Sequence, residues 1–204
     1  MKKILSSILA ICLVFTFIGS NSIFANTDNN IVYVGNGYIQ EIDTPNSHTK
    51  RWLVVDGDNT YDLFIDYNKN IMKIDDEIIN IYVEEIELPL TRTTVDYSTA
   101  RNFRYKIPWK GSVTLLAAAI AGCVGGINAA GMVATIASAL TADAENIWVT
   151  FTQYNSKESY YSNYYDTYYK KAINKNIIFY QTSVSPQNKV YGPVNGSWFD
   201  PIRP

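Results

Sequence analysis

Between residues 31 and 90 the apolar residues come in short runs, several of them alternating with polar ones, and clusters of Gly, Asn and Asp cut the runs apart. A period of two over four to eight residues is the mark of a half-buried strand. The runs at 31–34, 38–42, 52–55, 61–67, 71–74 and 78–88 are divided by Gly35-Asn36-Gly37, Asp56-Gly57-Asp58-Asn59 and Asn68-Lys69-Asn70. Such spacings are those of hairpins and predict an antiparallel sheet of about five or six strands. Residues 90–106 are polar and rich in Thr, Arg and Tyr, and Ile107-Pro108-Trp109-Lys110-Gly111 closes them. Pro108 favours an extended residue before it, and Ser112 suits the N-cap of a helix. A boundary is expected here.

The pattern then changes completely. Residues 111–142 carry no charge at all, and their Ala content without proline predicts helix. Every fourth residue from Ala118 is small: Ala118, Gly122, Gly126, Ala130, Ala134, Ser138 and Ala142. A second phase is mostly large: Leu116, Ile120, Val124, Asn128, Met132, Ile136 and Leu140. Small residues on such a ridge let two backbones approach closely. A period of four drifts by about 40° per step against the 3.6-residue turn, so one long helix would wind the stripe around itself. A break at Gly125-Gly126 cures that drift and predicts a helical hairpin.

The same segment bears on membranes. As one helix it would be roughly 48 Å long, more than the ~30 Å a hydrocarbon core requires. Its best window, residues 115–133, offers about −2 to −4 kcal/mol from Leu, Ile and Val, opposed by Asn128 and the glycines. The balance is near neutral. Two readings follow: a hairpin buried as plain core, or a conditional surface for a membrane or partner, made of Leu116, Ile120, Gly122, Gly126, Ala130, Met132, Ile136 and Leu140.

Beyond Asp143, Trp148, Val149, Thr150 and Phe151 predict a strand within residues 147–154, and a second is expected at 176–184. Between them lie Tyr160-Tyr161, Tyr164-Tyr165 and Tyr168-Tyr169. Spacing of four would stripe a helix, but tyrosine forms strands better than helices, which favours strand. Rings with a polar tip suit wet interfaces, so these six tyrosines either build a stacking platform for sugars or peptidoglycan or cover sheet faces. Residues 186–204 read as an irregular tail. The fold class expected is α+β: an N-terminal antiparallel sheet, a central Ala/Gly-rich helical hairpin and C-terminal Tyr-rich strands.

The first 25 residues read as a signal peptide, with Lys2 and Lys3 before an apolar stretch too short to span a membrane, then small residues up to Ala25. Cys12 lies inside that stretch and reads as part of the signal. The mature regions are then 26–106, β-rich; 107–185, hairpin and Tyr-rich strands; and 186–204. Loss of Lys2 and Lys3 takes the basic residues from 17 to 15 against 19 acids, a net charge of about −4. No long-range attraction to nucleic acid is expected. Only Cys123 remains, so no intrachain disulfide forms and a hydrophobic core must hold the fold. Sixteen tyrosines with abundant Asn, Ile and Lys fit a Gram-positive secretor. Secretion or display at the cell surface is expected.

Candidate chemistry is thin. His48 is the only histidine, in a turn-like stretch, and metal sites and activated nucleophiles both need several cooperating groups. Cys123, in apolar surroundings, reads as a structural thiol with a raised pKa. Asp56, Asp58, Thr60 and Asp62 alternate like a calcium loop, but Tyr61 and Tyr67 stand where Gly and Glu belong, which favours a plain turn. Asp75-Asp76-Glu77 and Glu84-Glu85-Glu87 could supply the two carboxylates of a glycosidase only at a defined separation. No catalytic, cofactor or metal residue is assigned, and the chain reads as non-enzymatic.

Through Ile107-Pro108-Trp109-Lys110-Gly111, the Ala/Gly run, the Trp148 strand and the tyrosine pairs, the C-terminal half resembles small exported proteins of bacilli, some of them similar to large heat-labile bacteriocins of the geobacillin type. The resemblance implies antibacterial action at a target membrane or envelope component and carries over no active-site residue. The alternative from the residues themselves is a cell-envelope binding or structural module that uses the tyrosine surface.

Overall fold

The alternating runs of the first third build a seven-stranded antiparallel sheet in which every strand pairs with its sequence neighbours. Its strands are β1 (Ala25–Asn26), β2 (Ile31–Val34), β3 (Gly37–Ile42), β4 (Thr49–Asp56), β5 (Asn59–Asp66), β6 (Ile71–Ile74) and β7 (Glu77–Asn80). The computed structural model describes residues 25–26, 31–42, 44–86 and 97–201. The expected signal peptide with Cys12, residues 90–96 of the polar segment, Glu87 and the last three residues lie outside the described residues. Turns fall where Gly and Asp allow a left-handed backbone: Gly57 has φ +60° and Asp75 has φ +53°.

A second, five-stranded sheet has the order β14-β13-β10-β9-β8. It comprises β8 (Tyr82–Ile86), β9 (Tyr97–Pro108), β10 (Asn146–Ser156), β13 (Ala172–Gln181) and β14 (Lys189–Val194), while β11 (Tyr160–Ser162) and β12 (Thr167–Tyr169) form a separate two-stranded ribbon. The run at 78–88, expected as one strand, is two. The chain leaves the first sheet after β7 and enters the second at β8. Ile79, Ile81 and Val83 keep their alternation straight through the crossover, so the pattern carries no mark of it.

Two helices stand between these elements, α1 (Val113–Cys123) and α2 (Ala129–Ser138). Ser112 Oγ accepts from Leu115 N at 3.0 Å and Asn128 Oδ1 from Gly131 N at 3.0 Å, each satisfying one orphan amide of a helix start. α1 is buried on nearly every side, touching β2, β3, β4 and β5 of one sheet and β9 of the other. A helix apolar all round belongs in such a place. Full burial of Leu115, Leu116 and Ile120 is worth about 1.5–3 kcal/mol each.

The expected α+β class is therefore corrected. Strand makes up 53% of the described residues and helix 15%, in three sheets with two short helices, a mostly-β molecule. The helices are core filler between sheets rather than the dominant hairpin. The small ridge also serves a different purpose. A Cβ on Gly122 would lie 2.8 Å from Ile65 Cδ1 and 3.0 Å from Trp52, and one on Gly125 would clash with the ring of Phe199. Close approach is thus between helix and sheet, and between the helix break and the C-terminal tail. Ala134, Ser138 and Ala142, the far end of the ridge, face solvent.

Two other outlines differ from expectation. The boundary at 106/107 falls inside β9, the longest strand. Residues 186–204, read as irregular, contain β14 and a docked segment: Phe199 exchanges backbone hydrogen bonds with Ala172 at 2.9 Å, and Ser197 N donates to Gly126 O at 2.8 Å.

Candidate functional site

The inward faces of β9 and β10 are apolar at one end and polar at the other. Ile107, Tyr105 and Phe103 pair across with Ile147, Val149 and Phe151, and then, at the same parity, Arg101 pairs with Gln153 and Thr99 with Asn155. The change comes beyond the reach of the helix, so the polar half floors a cleft of about 550 Å³. The opposite wall is the first sheet's loops, with Ser47 and His48 between β3 and β4 and Tyr67, Asn68 and Asn70 between β5 and β6. The end of α1 and the helix break supply Ala121, Gly122, Cys123 and Gly125. Tyr168, Tyr169 and Lys170 from the ribbon form the rim, and Phe199 and Pro201 from the tail fill one end.

Hydrogen bonds hold these walls together. Gln153 Nε2 donates to Asn174 Oδ1 at 3.1 Å, and Asn174 Nδ2 donates on to Gly125 O at 3.1 Å, tying the floor to the helix break. Tyr67 donates its hydroxyl to Gly122 O at 2.8 Å. Burial pushes the Tyr67 phenol far above its ordinary value, with the nearby Cys123 adding to the effect. Tyr105 is raised for the same reason. Both remain hydroxyl donors throughout the physiological range. The ribbon leans across, where Tyr165 donates to Thr44 O at 3.4 Å.

The six tyrosines predicted as a platform lie in this ribbon. Tyr160 faces Tyr169 and Tyr161 faces Tyr168 across the two strands, with ring centroids 5.9 and 5.0 Å apart, and Tyr164 and Tyr165 stack edge to face in the turn. Tyr161, Tyr164 and Tyr168 are exposed, and Tyr160, Tyr165 and Tyr169 half-buried. Two of the hydroxyls are turned to carboxylates: Tyr160 donates to Glu158 at 3.0 Å and Tyr161 to Asp166. These bonds raise both phenols above the ordinary value. Burial, then Asp200 nearby, does the same for Tyr169.

The residues expected to meet a membrane or partner face the other way. Leu116, Ile120, Gly122, Ala130 and Ile136 are buried, and Gly126, Met132 and Leu140 half-buried. Among the described residues no helix is long and apolar enough to cross a membrane.

No family model matches this chain, and no curated protein or solved structure matches it. The site therefore rests on its own geometry. His48 and Cys123, read separately in the sequence, both line the cleft. Burial pushes the Cys123 thiol well above its usual value, and its sulfur lies 3.8 Å from Met72 Sδ. It is a packed thiol, not a nucleophile. Asp75 sits in the β6–β7 turn, where its carboxylate accepts from Asp62 N at 2.9 Å, and Glu84 lies on the second sheet, so neither reaches the cleft. No cluster of three metal-ligating side chains occurs among the described residues. Arg101, Gln153, Asn155, Asn68 and Lys170 are site residues that the sequence did not single out. A polar side chain at inward parity, as at Arg101 and Gln153, is the signal that could have found the floor.

Proposed function

We propose that this protein is an exported, non-catalytic binding module of the cell envelope that holds a saccharide in the cleft between its two sheets. One observation carries the reading: tyrosines, side-chain amides and hydroxyls line one cavity of about 550 Å³. Sugars offer C–H faces that stack on aromatic rings and hydroxyls that bond to amides, and cavities of roughly 300–1,000 Å³ suit ligands of that size. Glycoside hydrolysis needs two carboxyl groups flanking the bond. The described lining holds neither Asp nor Glu, which favours binding over cleavage.

The test is co-sedimentation with purified cell-wall glycan, backed by calorimetry with soluble glycan chains. Tyr168→Ala and Tyr169→Ala should each cost about 1 kcal/mol, roughly a fivefold loss of affinity. Tyr164→Ala, in the turn away from the cleft, should cost much less. Equal binding by wild type and the Tyr168 and Tyr169 variants, or no binding by wild type, refutes the reading.

The competing proposal is a bacteriocin-like protein whose helices engage a target membrane. It requires Leu116, Ile120 and Ile136 to leave the core, and each gives up about 1.5–3 kcal/mol of burial on the way through water. The cleft needs no such opening.

A further inference from the structure

The charge of the lining goes further than its shape. The chain as a whole has 19 acidic residues against 17 basic ones, yet the described residues of the cleft include Lys50, Arg101 and Lys170 and no carboxylate. These cations come from three places distant in sequence: β4, β9 and the exit of the tyrosine ribbon. Chance clustering on one strand does not explain them. Of the nearby carboxylates, two are directed to tyrosines, one to Lys171 and one to Lys50 itself. Glu158 and Asp166 accept from Tyr160 and Tyr161, Asp200 lies 3.8 Å from Lys171 Nζ, and Glu41 reaches Lys50 at 3.9 Å from outside the lining. Lys170 has no ion pair among the described residues. A concave site with one sign of charge and low-dielectric walls concentrates ligands of the opposite sign.

We infer that the ligand is an acidic saccharide, its rings laid against Tyr168 and Tyr169 and its carboxylate or phosphate groups met by Lys170 and Arg101. This rests on the saccharide-binding reading and adds the ligand's charge to it. Arg101, exposed and paired with Gln153 across the floor, offers an anionic group a planar fork of donors that suits a carboxylate or a phosphate. Lys170, at the rim, meets it on entry.

The experiment compares tetragalacturonate with its fully methyl-esterified form, which keeps the rings and removes the charge, and with a ring-free glycerol phosphate oligomer of similar charge. Calorimetry at low salt should show the acid binding roughly tenfold more tightly than the ester, with the difference fading towards 1 M salt, where the screening length falls to about 3 Å. Lys170→Gln should remove most of that preference with the melting temperature unchanged. Arg101→Gln provides a second variant at the floor and should lose the same preference. If acid and ester bind alike while cell-wall glycan still sediments with the protein, the charge inference is overturned and the saccharide reading stands. If the glycerol phosphate oligomer binds as tightly as the acid, the saccharide part of the inference is overturned. If nothing binds, both are.

Discussion

Asp66 shows how a single side chain supports the cleft. It is buried at the end of β5, and its carboxylate accepts from the backbone amides of Asn68 at 3.1 Å and Lys69 at 3.0 Å while Lys69 Nζ approaches at 3.0 Å. Burial alone would raise its pKa, but those amides and the ammonium outweigh it and hold the group below the ordinary carboxylate range. A depressed folded value means stabilisation that is present above the unfolded pKa and is lost as pH falls through the folded one. Wild-type stability should therefore drop below about pH 4. Asp66→Asn should cost about 1–2 kcal/mol at neutral pH and flatten that acid limb, measured by urea unfolding across pH. The turn it braces carries Asn68 and Asn70 into the cleft. Nothing in the sequence separates Asp66 from the exposed acids of neighbouring turns, because its burial depends on what packs over it. Cys123 is the opposite case, since its apolar neighbours in the chain already mark a buried thiol.

The strands and helices were partly legible because their signals are local. Alternation locates β2 to β6, and Phe103, Tyr105 and Ile107 alternating with Asn102, Arg104 and Lys106 mark β9 within a segment whose composition reads as a polar linker. Tyrosine's preference for strand over helix agrees with the β11–β12 ribbon. The charge-free segment carries its own helix starts in Ser112 and Asn128. Its packing partner is another matter, because a ridge of small residues says only that something comes close. In this molecule Gly122 admits Trp52 and Ile65, and Gly125 admits Phe199. Gly122→Leu should therefore destabilise by about 1–3 kcal/mol through overpacking against the first sheet, seen as a lower urea midpoint with an unchanged slope. An unchanged midpoint would mean that α1 does not lie on that sheet.

The cleft exists only in the assembled molecule, drawing its lining from the β3–β4 and β5–β6 loops, β9, β10, the end of α1, the ribbon and the tail. Assembly also buries α1 and the apolar face of α2, so the native protein should release no more dye from anionic or neutral liposomes at neutral pH than a buffer control. Leakage that Gly126→Leu abolishes would instead favour the membrane-engaging proposal. The sequence by itself determined where most strands lie, where the helices begin and break, and that the tyrosine segment favours strand over helix, because hydrogen-bond period, capping and rotamer preference act within a few residues. Only the tertiary structure decided that β7 and β8 part into different sheets and that the small ridge serves helix-to-sheet contact. It alone brought three cations and four tyrosines into one cavity. Those outcomes depend on contacts between segments some 50 to 120 residues apart, such as Tyr67 with Gly122 and Tyr165 with Thr44. Local pattern carries no record of such contacts, since the same alternation and the same small residues are compatible with many partners until one of them is packed.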